Sequence, residues 1–280
     1  MTMSVLKGLH RRALGLSKDG ETMSRAGFVA GGEDKPVIVF PGPDTVAIFD
    51  DFLGDLVGDE WIAGSSDTGQ ATGTGVLATS AVSATNGIYR MTSSASSTQT
   101  PAGGAQSINT PPNWKANQGQ ALNKPLRFGA RVKIADLAKN NVFVGLTDTG
   151  GAEIAVYDTG GGILTPAADY VGFLKGGGAA AGTTALTWRL VTGKAGVDQV
   201  ATTGITPTTN VYDVLEVEVS PDGNVATGFI NGKYAAQIIS AATTPTVALA
   251  GGVWRANTEA AADAVDVDWM AISAPRDTGL

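Results

Sequence analysis

The chain has 280 residues, no cysteine and a single histidine, His10. Without thiols it has no disulfide framework, no thiolate metal site and no redox-active cysteine. One histidine near the N-terminus also excludes a Ser-His-Asp triad or a histidine-based zinc site in the rest of the chain. These absences remove several large classes of enzyme, and we expect neither a cofactor nor a metal site.

Calcium is the one metal that this residue inventory leaves open, because carboxylates alone are able to bind it. Several aspartates lie near the ends of predicted strands, but no D-x-D-x-D-G loop is present. These aspartates are Asp50, Asp51, Asp148, Asp158 and Asp266.

Charged residues are scarce as well, at 16% of the sequence, against about 25% in an average globular domain. A net charge of −7 argues against a nucleic-acid partner, which would require a basic stripe. No run of 18 apolar residues is present, so we expect no membrane span. Basic residues interrupt the apolar stretch 5–16, so we expect no secretory signal and synthesis in the cytoplasm.

What the chain does contain is glycine, at 38 residues, and a long series of short apolar-alternating runs. The clearest is Leu126–Ile134, where apolar residues alternate with arginine and lysine as in a strand with one buried face. In the stretch Val211–Ile239, three such runs are separated by a Ser-Pro-Asp-Gly turn and by Asn231-Gly232, a pair that favours a type I′ hairpin. Because antiparallel sheets with one apolar face stack in pairs, the sequence predicts an all-β, antiparallel β-sandwich.

The N-terminus differs in charge from the rest of the chain. We divide the sequence into a basic arm with a proline-rich linker, residues 1–44, and a sandwich domain, residues 45–280. Residues 1–20 carry a net charge of +3, so the remainder carries −10 of the total of −7. Apolar residues of the arm recur at helical spacing, and so short a helix needs a surface to dock on; a frayed, solvated tail is the other interpretation. The residues predicted to dock on a partner are Val5, Lys7, Leu9, Arg11, Arg12 and Leu16.

Four segments, taken in order, resemble the concanavalin-A-like, laminin-G-type jelly roll. The resemblance covers residues 45–275 and implies an antiparallel jelly-roll β-sandwich. The segments are LRFGARVKI at 126–134, NVFVGLT at 141–147, YDVLEVEVSPDGNVATGFINGK at 212–233 and VDVDWMAIS at 265–273.

A second resemblance rests on composition. The Gly-, Ala- and Thr-rich sequence, the lack of cysteine, the basic arm and the tail SAPRDTGL are similar to structural proteins of tailed-bacteriophage virions. This resemblance implies a non-enzymatic capsid decoration protein that docks by its arm on the major capsid protein or another virion protein. It also implies a homo-oligomer that is located in the virion after assembly in the host cytoplasm.

The jelly-roll resemblance leaves two other functions open. The first is a carbohydrate-binding adhesion module, which requires exposed aromatic side chains for a surface glycan. Trp114 and Tyr157 are the candidates, because Trp188, Trp254 and Trp269 lie in strand-like runs where core positions are expected.

The second open function is glycoside hydrolysis. The resemblance implies an E-x-D-x-x-E arrangement of acids on one strand face. Asp266 and Asp268 share a face, as do Glu216 and Glu218, but no third acid follows either pair at the required spacing. Alternating acids on an outward face are expected to be solvated, so the sequence favours a protein that is not an enzyme.

Overall fold

The structure is a computed structural model that describes the strands and several connecting segments of the chain. No α-helix occurs in this part of the chain, and the search for a helix long and apolar enough to cross a membrane finds none there. The described residues are 29–31, 35–37, 45–50, 62–65, 77–78, 88–93, 105–115, 124–148, 157–158, 163–164, 169–177, 186–240, 245, 247–257 and 263–275.

The described residues form twenty strands. In chain order they are β1 (Val29–Gly31), β2 (Lys35–Val37), β3 (Thr45–Asp50), β4 (Ile62–Ser65), β5 (Leu77–Ala78), β6 (Tyr89–Ser93), β7 (Ala105–Asn109), β8 (Trp114–Lys115), β9 (Leu126–Ile134), β10 (Asn140–Thr147), β11 (Tyr157–Asp158), β12 (Ile163–Leu164), β13 (Tyr170–Lys175), β14 (Arg189–Lys194), β15 (Val197–Thr202), β16 (Tyr212–Val219), β17 (Val225–Ile230), β18 (Lys233–Ile239), β19 (Ala248–Asn257) and β20 (Asp263–Pro275).

Two eight-stranded antiparallel sheets form a sandwich. We call the sheet with the order β18-β17-β16-β9-β20-β6-β5, in which β3 also pairs with β20, the front sheet. The back sheet has the order β15-β14-β13-β10-β19-β7-β4, and β8 also pairs with β19. The hairpins β1–β2 and β11–β12 lie outside both sheets. The predicted all-β, antiparallel sandwich is therefore confirmed.

The core lies between the two sheets and follows the predicted alternation. In β9 the residues Leu126, Phe128 and Val132 are buried, while the arginine and lysine side chains between them are half-exposed. Gly251 of the back sheet brings the sheets close together, because a Cβ there would lie 2.8 Å from both Phe128 and Ile272. Trp188, Trp254 and Trp269 are all buried, but only Trp188 lies in the expected core between the sheets, because Trp254 and Trp269 lie on the outer faces.

Two hairpin turns use positive φ angles. Asn231 and Gly232 have φ values of 52° and 72°, so the predicted turn between β17 and β18 is confirmed. The hairpin between β14 and β15 was not predicted, because its turn is Ala195-Gly196, with φ values of 49° and 81°. Alanine rarely adopts this conformation. Here the amide of Ala195 donates a hydrogen bond of 3.1 Å to Asp169 Oδ1, which helps to hold the turn.

Candidate functional site

The outer faces of the two sheets differ in accessibility. On the back sheet, Phe143, Tyr170 and Trp254 alternate with core residues and so face away from the core, yet each has an exposed fraction of 0%. On the front sheet the outward residues of β16 to β18 stay accessible, since Phe229 is half-buried and the exposed fraction of Tyr234 is 64%, whereas Trp269 and Ala271 of β20 are buried. Among the described residues, the front face is thus the more accessible of the two outer faces, on the side formed by β16 to β18.

A row of residues crosses the outer face of the front sheet at right angles to the strands, and its members Gly129 and Ala271 are buried. Each member pairs with the next across neighbouring strands, so six strands separated by about 4.8 Å give the row a length of about 24 Å. Aromatic rings stand at both ends, and small residues form the floor on one side of the centre. In order across the sheet, this cross-sheet row consists of Tyr234, Phe229, Glu216, Gly129, Ala271 and Phe49.

Gly129 keeps the floor of the row low. A Cβ atom at this position would lie 3.3 Å from Cγ of Glu216 and 3.5 Å from the ring of Trp269. The ring of Trp269 in turn lies beside Phe49, with 6.2 Å between the ring centroids. The glycine therefore lets the side chains of Glu216 and Trp269 pack over the backbone of β9.

Glu216 is the acid at the centre of the row. Its side chain is half-buried, and no hydrogen-bond donor among the described residues contacts its carboxylate. Burial raises the pKa of Glu216, while Arg127 acts in the opposite direction and Glu218 adds to the increase. The carboxylate has thus lost part of its hydration without gaining a donor among the described residues, so its oxygens can accept hydrogen bonds from hydroxyl groups of a ligand.

Two of the other acids on this face are neutralised by arginines of β9. Arg127 donates to Oε2 of Glu218 from Nε at 2.7 Å and from Nη2 at 2.6 Å. Arg131 donates to Oδ2 of Asp268 at 2.5 Å. The expectation that alternating acids on this face are merely solvated was wrong for both, since the neighbouring strand places a cation opposite each of them.

Asp266 is held most tightly of these acids. Its exposed fraction is 2%, and it accepts hydrogen bonds from Arg90 at 2.5 and 2.8 Å and pairs with Lys133 at 2.7 Å. Burial by itself would raise the pKa of Asp266, but the contacts with Arg90 and Lys133 outweigh it and lower the pKa below its ordinary value. Both carboxylate oxygens are thus occupied by protein cations, and in the part of the chain that the structure describes no three acidic or histidine side chains converge.

The aromatic residues predicted for sugar binding are not those of the row. Trp114 has an exposed fraction of 7% and donates from Nε1 to Oγ1 of Thr110 at 3.2 Å. The expectation of an exposed ring in a polar loop was wrong, because β8 adds Trp114 to the edge of β19 and turns the indole inward. Tyr157 lies in β11, but its side chain falls outside the described residues, as do the arm residues Val5, Lys7, Leu9, Arg11, Arg12 and Leu16.

Sequence reasoning missed the row because its members come from six strands. The alternation of β16 does place Glu216 on the outward face, and this signal was recognised. The register that sets Phe229 on one side of Glu216 and Gly129 on the other is a property of the sheet. No spacing along the chain encodes it.

Comparison with known proteins identifies the fold. No protein-family model and no curated protein matches the sequence. Among solved structures, the Emp47p carbohydrate recognition domain has a TM-score of 0.51 at 11% identity, covering 83% of this chain and 98% of that chain. A family 16 endo-glucanase from Bacteroides ovatus has a TM-score of 0.51 at 10% identity, covering 80% and 99%.

A third similar structure is a LamA variant from Z. galactanivorans in complex with laminaritriose and laminaritetraose. Its TM-score is 0.52 at 11% identity, and the match covers 83% of this chain and 99% of that chain. At such identities the likeness shows the fold alone. The chain folds as a concanavalin-A-like jelly roll, the architecture of these lectin-type and glucanase domains.

Proposed function

We propose that the chain is a non-enzymatic carbohydrate-binding module that binds an oligosaccharide along the cross-sheet row. The observation that carries this proposal is the carboxylate of Glu216, which is half-buried beside Phe229 and Gly129 and has no hydrogen-bond donor among the described residues. The similar structures support it, since their names describe a carbohydrate recognition domain and a protein in complex with laminari-oligosaccharides.

The chemistry of the row suits a sugar chain. Aromatic rings such as those of Tyr234 and Phe229 offer flat apolar surfaces to the C–H faces of sugar rings, and a few polar groups fix the orientation of the ligand. A carboxylate that accepts hydrogen bonds from hydroxyl groups makes stronger bonds than a neutral acceptor does. The accessible part of the row, from Tyr234 to Glu216, spans about 10 Å across three strands, which suits a short stretch of a sugar chain.

The distribution of acids favours binding over hydrolysis. A glycosidase of either stereochemical type needs two carboxyl groups that act on the same bond. Of the four acids described here on the front face, Glu218, Asp266 and Asp268 are paired with cations. Glu216 is left without an available second carboxylate beside it.

Glu216→Gln is expected to weaken oligosaccharide binding by about tenfold to a hundredfold, because hydrogen bonds to a charged group contribute about 1.5–3 kcal/mol. Binding to the unaltered protein should also decrease as the pH falls through the raised pKa of Glu216, since protonation converts an acceptor into a donor. The pH dependence should disappear in E216Q. The measurement is an array of neutral oligosaccharides that includes laminaritetraose, followed by calorimetric titration of the strongest binder.

Glu218→Gln is the matched control, because it makes the same chemical change on the same face of β16. The carboxylate of Glu218 already accepts a hydrogen bond from Arg127. This substitution should change the affinity less than threefold. An array without any bound sugar would contradict the proposal. Cleavage of an oligosaccharide that E216Q abolishes would identify a hydrolase instead.

We propose as a second function a structural role in a bacteriophage virion, with the arm as the docking element. The supporting observation is in the sequence: residues 1–20 carry +3 while the remainder carries −10. Deletion of residues 1–35 should leave a soluble, folded sandwich that no longer enters particles, measured by mass spectrometry of purified particles. Normal incorporation of the truncated chain would exclude the arm as the docking element.

A further inference from the structure

The two sheets end side by side at one edge of the sandwich. Strand β15 ends the back sheet and β18 ends the front sheet, and the two strands pack against each other. Among the described strands, β15 pairs only with β14, and β18 pairs only with β17. The backbone groups on the far side of both strands are thus without a described partner strand. We call β15 and β18 together the open edge.

The exposed apolar side chains of the described residues are concentrated on this open edge. Six large hydrophobic residues are prominently exposed, and four of them belong to β15 or β18: Val197 (55%), Val200 (47%), Tyr234 (64%) and Ile239 (72%). Strand β15 also lacks the lysine and proline residues that usually protect an edge strand from pairing. An unprotected apolar edge of this kind is a template for strand addition.

The charge of the open edge favours a second copy of this chain as the partner. The whole chain carries −7, so two copies repel each other over most of their surface. The open edge contains one acid, Asp198 of β15, and one lysine, Lys233 of β18. A second lysine, Lys194, lies shortly before Asp198 in sequence, at the end of β14. The net charge of the open edge is therefore not negative, and two acidic chains are able to meet here without like-charge repulsion.

The sequence of β15 is compatible with its own antiparallel copy. Pairing about Val200 places this valine opposite the partner's Val200 and Asp198 opposite the partner's Thr202. No like charges then face each other, and the outward valine forms an apolar cross-strand pair. A contact of this kind is isologous and closes after two copies, as a two-fold interface must.

We propose that the open edge is a homodimer interface, in which β15 pairs antiparallel with β15 of a second copy about Val200 and joins the two back sheets. A six-residue strand provides an edge only about 20 Å long, so the interface is small and the dimer is concentration-dependent. This pairing uses β15 alone, so the cross-sheet row on the front sheet takes no part in it.

The test is sedimentation equilibrium of the full-length chain over a range of concentrations. The mass should increase from 28.3 kDa towards twice that value. Val200→Lys should weaken the dimer at least about tenfold, since the introduced lysines face each other across the two-fold axis. Val200→Glu should do the same, whereas an equimolar mixture of V200K and V200E should restore dimers through opposite charges. Melting curves of each variant establish that it is folded.

Val211→Lys is the matched control, because Val211 has a similar exposed fraction of 51% and lies on neither edge strand. It should leave the mass distribution unchanged. A protein that stays monomeric at all concentrations would overturn the proposal. A dimer that V200K and V200E leave intact would also overturn it. The same holds if V211K disrupts the dimer equally, or if the mixture of V200K and V200E does not restore it.

Discussion

Asn140→Ala is expected to lower the free energy of unfolding by about 1.5–3 kcal/mol, because it removes a hydrogen bond to a buried cation. Arg255 has an exposed fraction of 1% and donates from Nε to Oδ1 of Asn140 at 2.6 Å. The amide nitrogen of Asn140 donates to the carbonyl oxygen of Asp136 at 2.8 Å and to the carboxylate of Asp263. Alanine would remove this hydrogen bond from the guanidinium of Arg255 at a buried site.

Urea denaturation with the linear extrapolation measures this loss. Asn224→Ala serves as the control, because Asn224 is only partly buried and donates from its side chain to Asp222 in a surface turn. Asn224→Ala should lower the free energy of unfolding by less than about 1 kcal/mol. Equal losses for the two variants would show that Arg255 does not depend on Asn140.

Lys175→Met is expected to abolish a pH dependence of stability between about pH 7 and pH 10. Lys175 is fully buried between the sheets and donates from Nζ to the carbonyl oxygens of Asn140, at 2.8 Å, and Leu137. Burial lowers the pKa of Lys175 to about 7, although the charges of Asp136 and Asp263 act in the opposite direction.

The sign of this pH dependence follows from the number of protons that the folded and unfolded chains bind. Between about pH 7 and pH 10 the unfolded chain holds the lysine proton that the folded chain has released, so stability increases with pH by up to about 1.4 kcal/mol per pH unit. Below pH 7 the lysine is charged in both states and this contribution is constant. Unfolding of both proteins at pH 6 and pH 9 measures the effect, and groups common to both cancel in the difference. A wild-type chain that gains no more stability than K175M over this interval would contradict the lowered pKa.

The sequence predicted those parts of the fold that depend on local patterns. Strand β9 was predicted with its observed bounds, because one face is apolar and the other carries arginine and lysine. The meander β16–β18 was predicted because Asn231-Gly232 is a pair that tolerates positive φ at both positions. The hairpin at Ala195-Gly196 was missed for the same physical reason, since alanine is not expected at a positive φ.

The candidate site was not predictable to the same extent, since it depends on contacts between distant segments. Glu216 was correctly placed on an outward face, but its isolation depends on which of its neighbours are paired. Arg127 pairs with Glu218, which lies 91 residues further along the chain. Nothing in the local sequence indicates that Glu216 has no such partner among the described residues. Trp114 was predicted to be exposed because its loop is polar, whereas pairing of β8 with β19 buries the ring.

The most direct test of the central claim is to map oligosaccharide binding on the folded chain by backbone amide chemical shifts. Titration with the strongest ligand from the array, or with laminaritetraose, should shift the amides of Phe229, Glu216 and Gly129 on the front sheet. The amides of β13 and β14 on the back sheet should stay unchanged. Shifts confined to the back sheet, or no shift with any oligosaccharide tested, would contradict binding along the cross-sheet row.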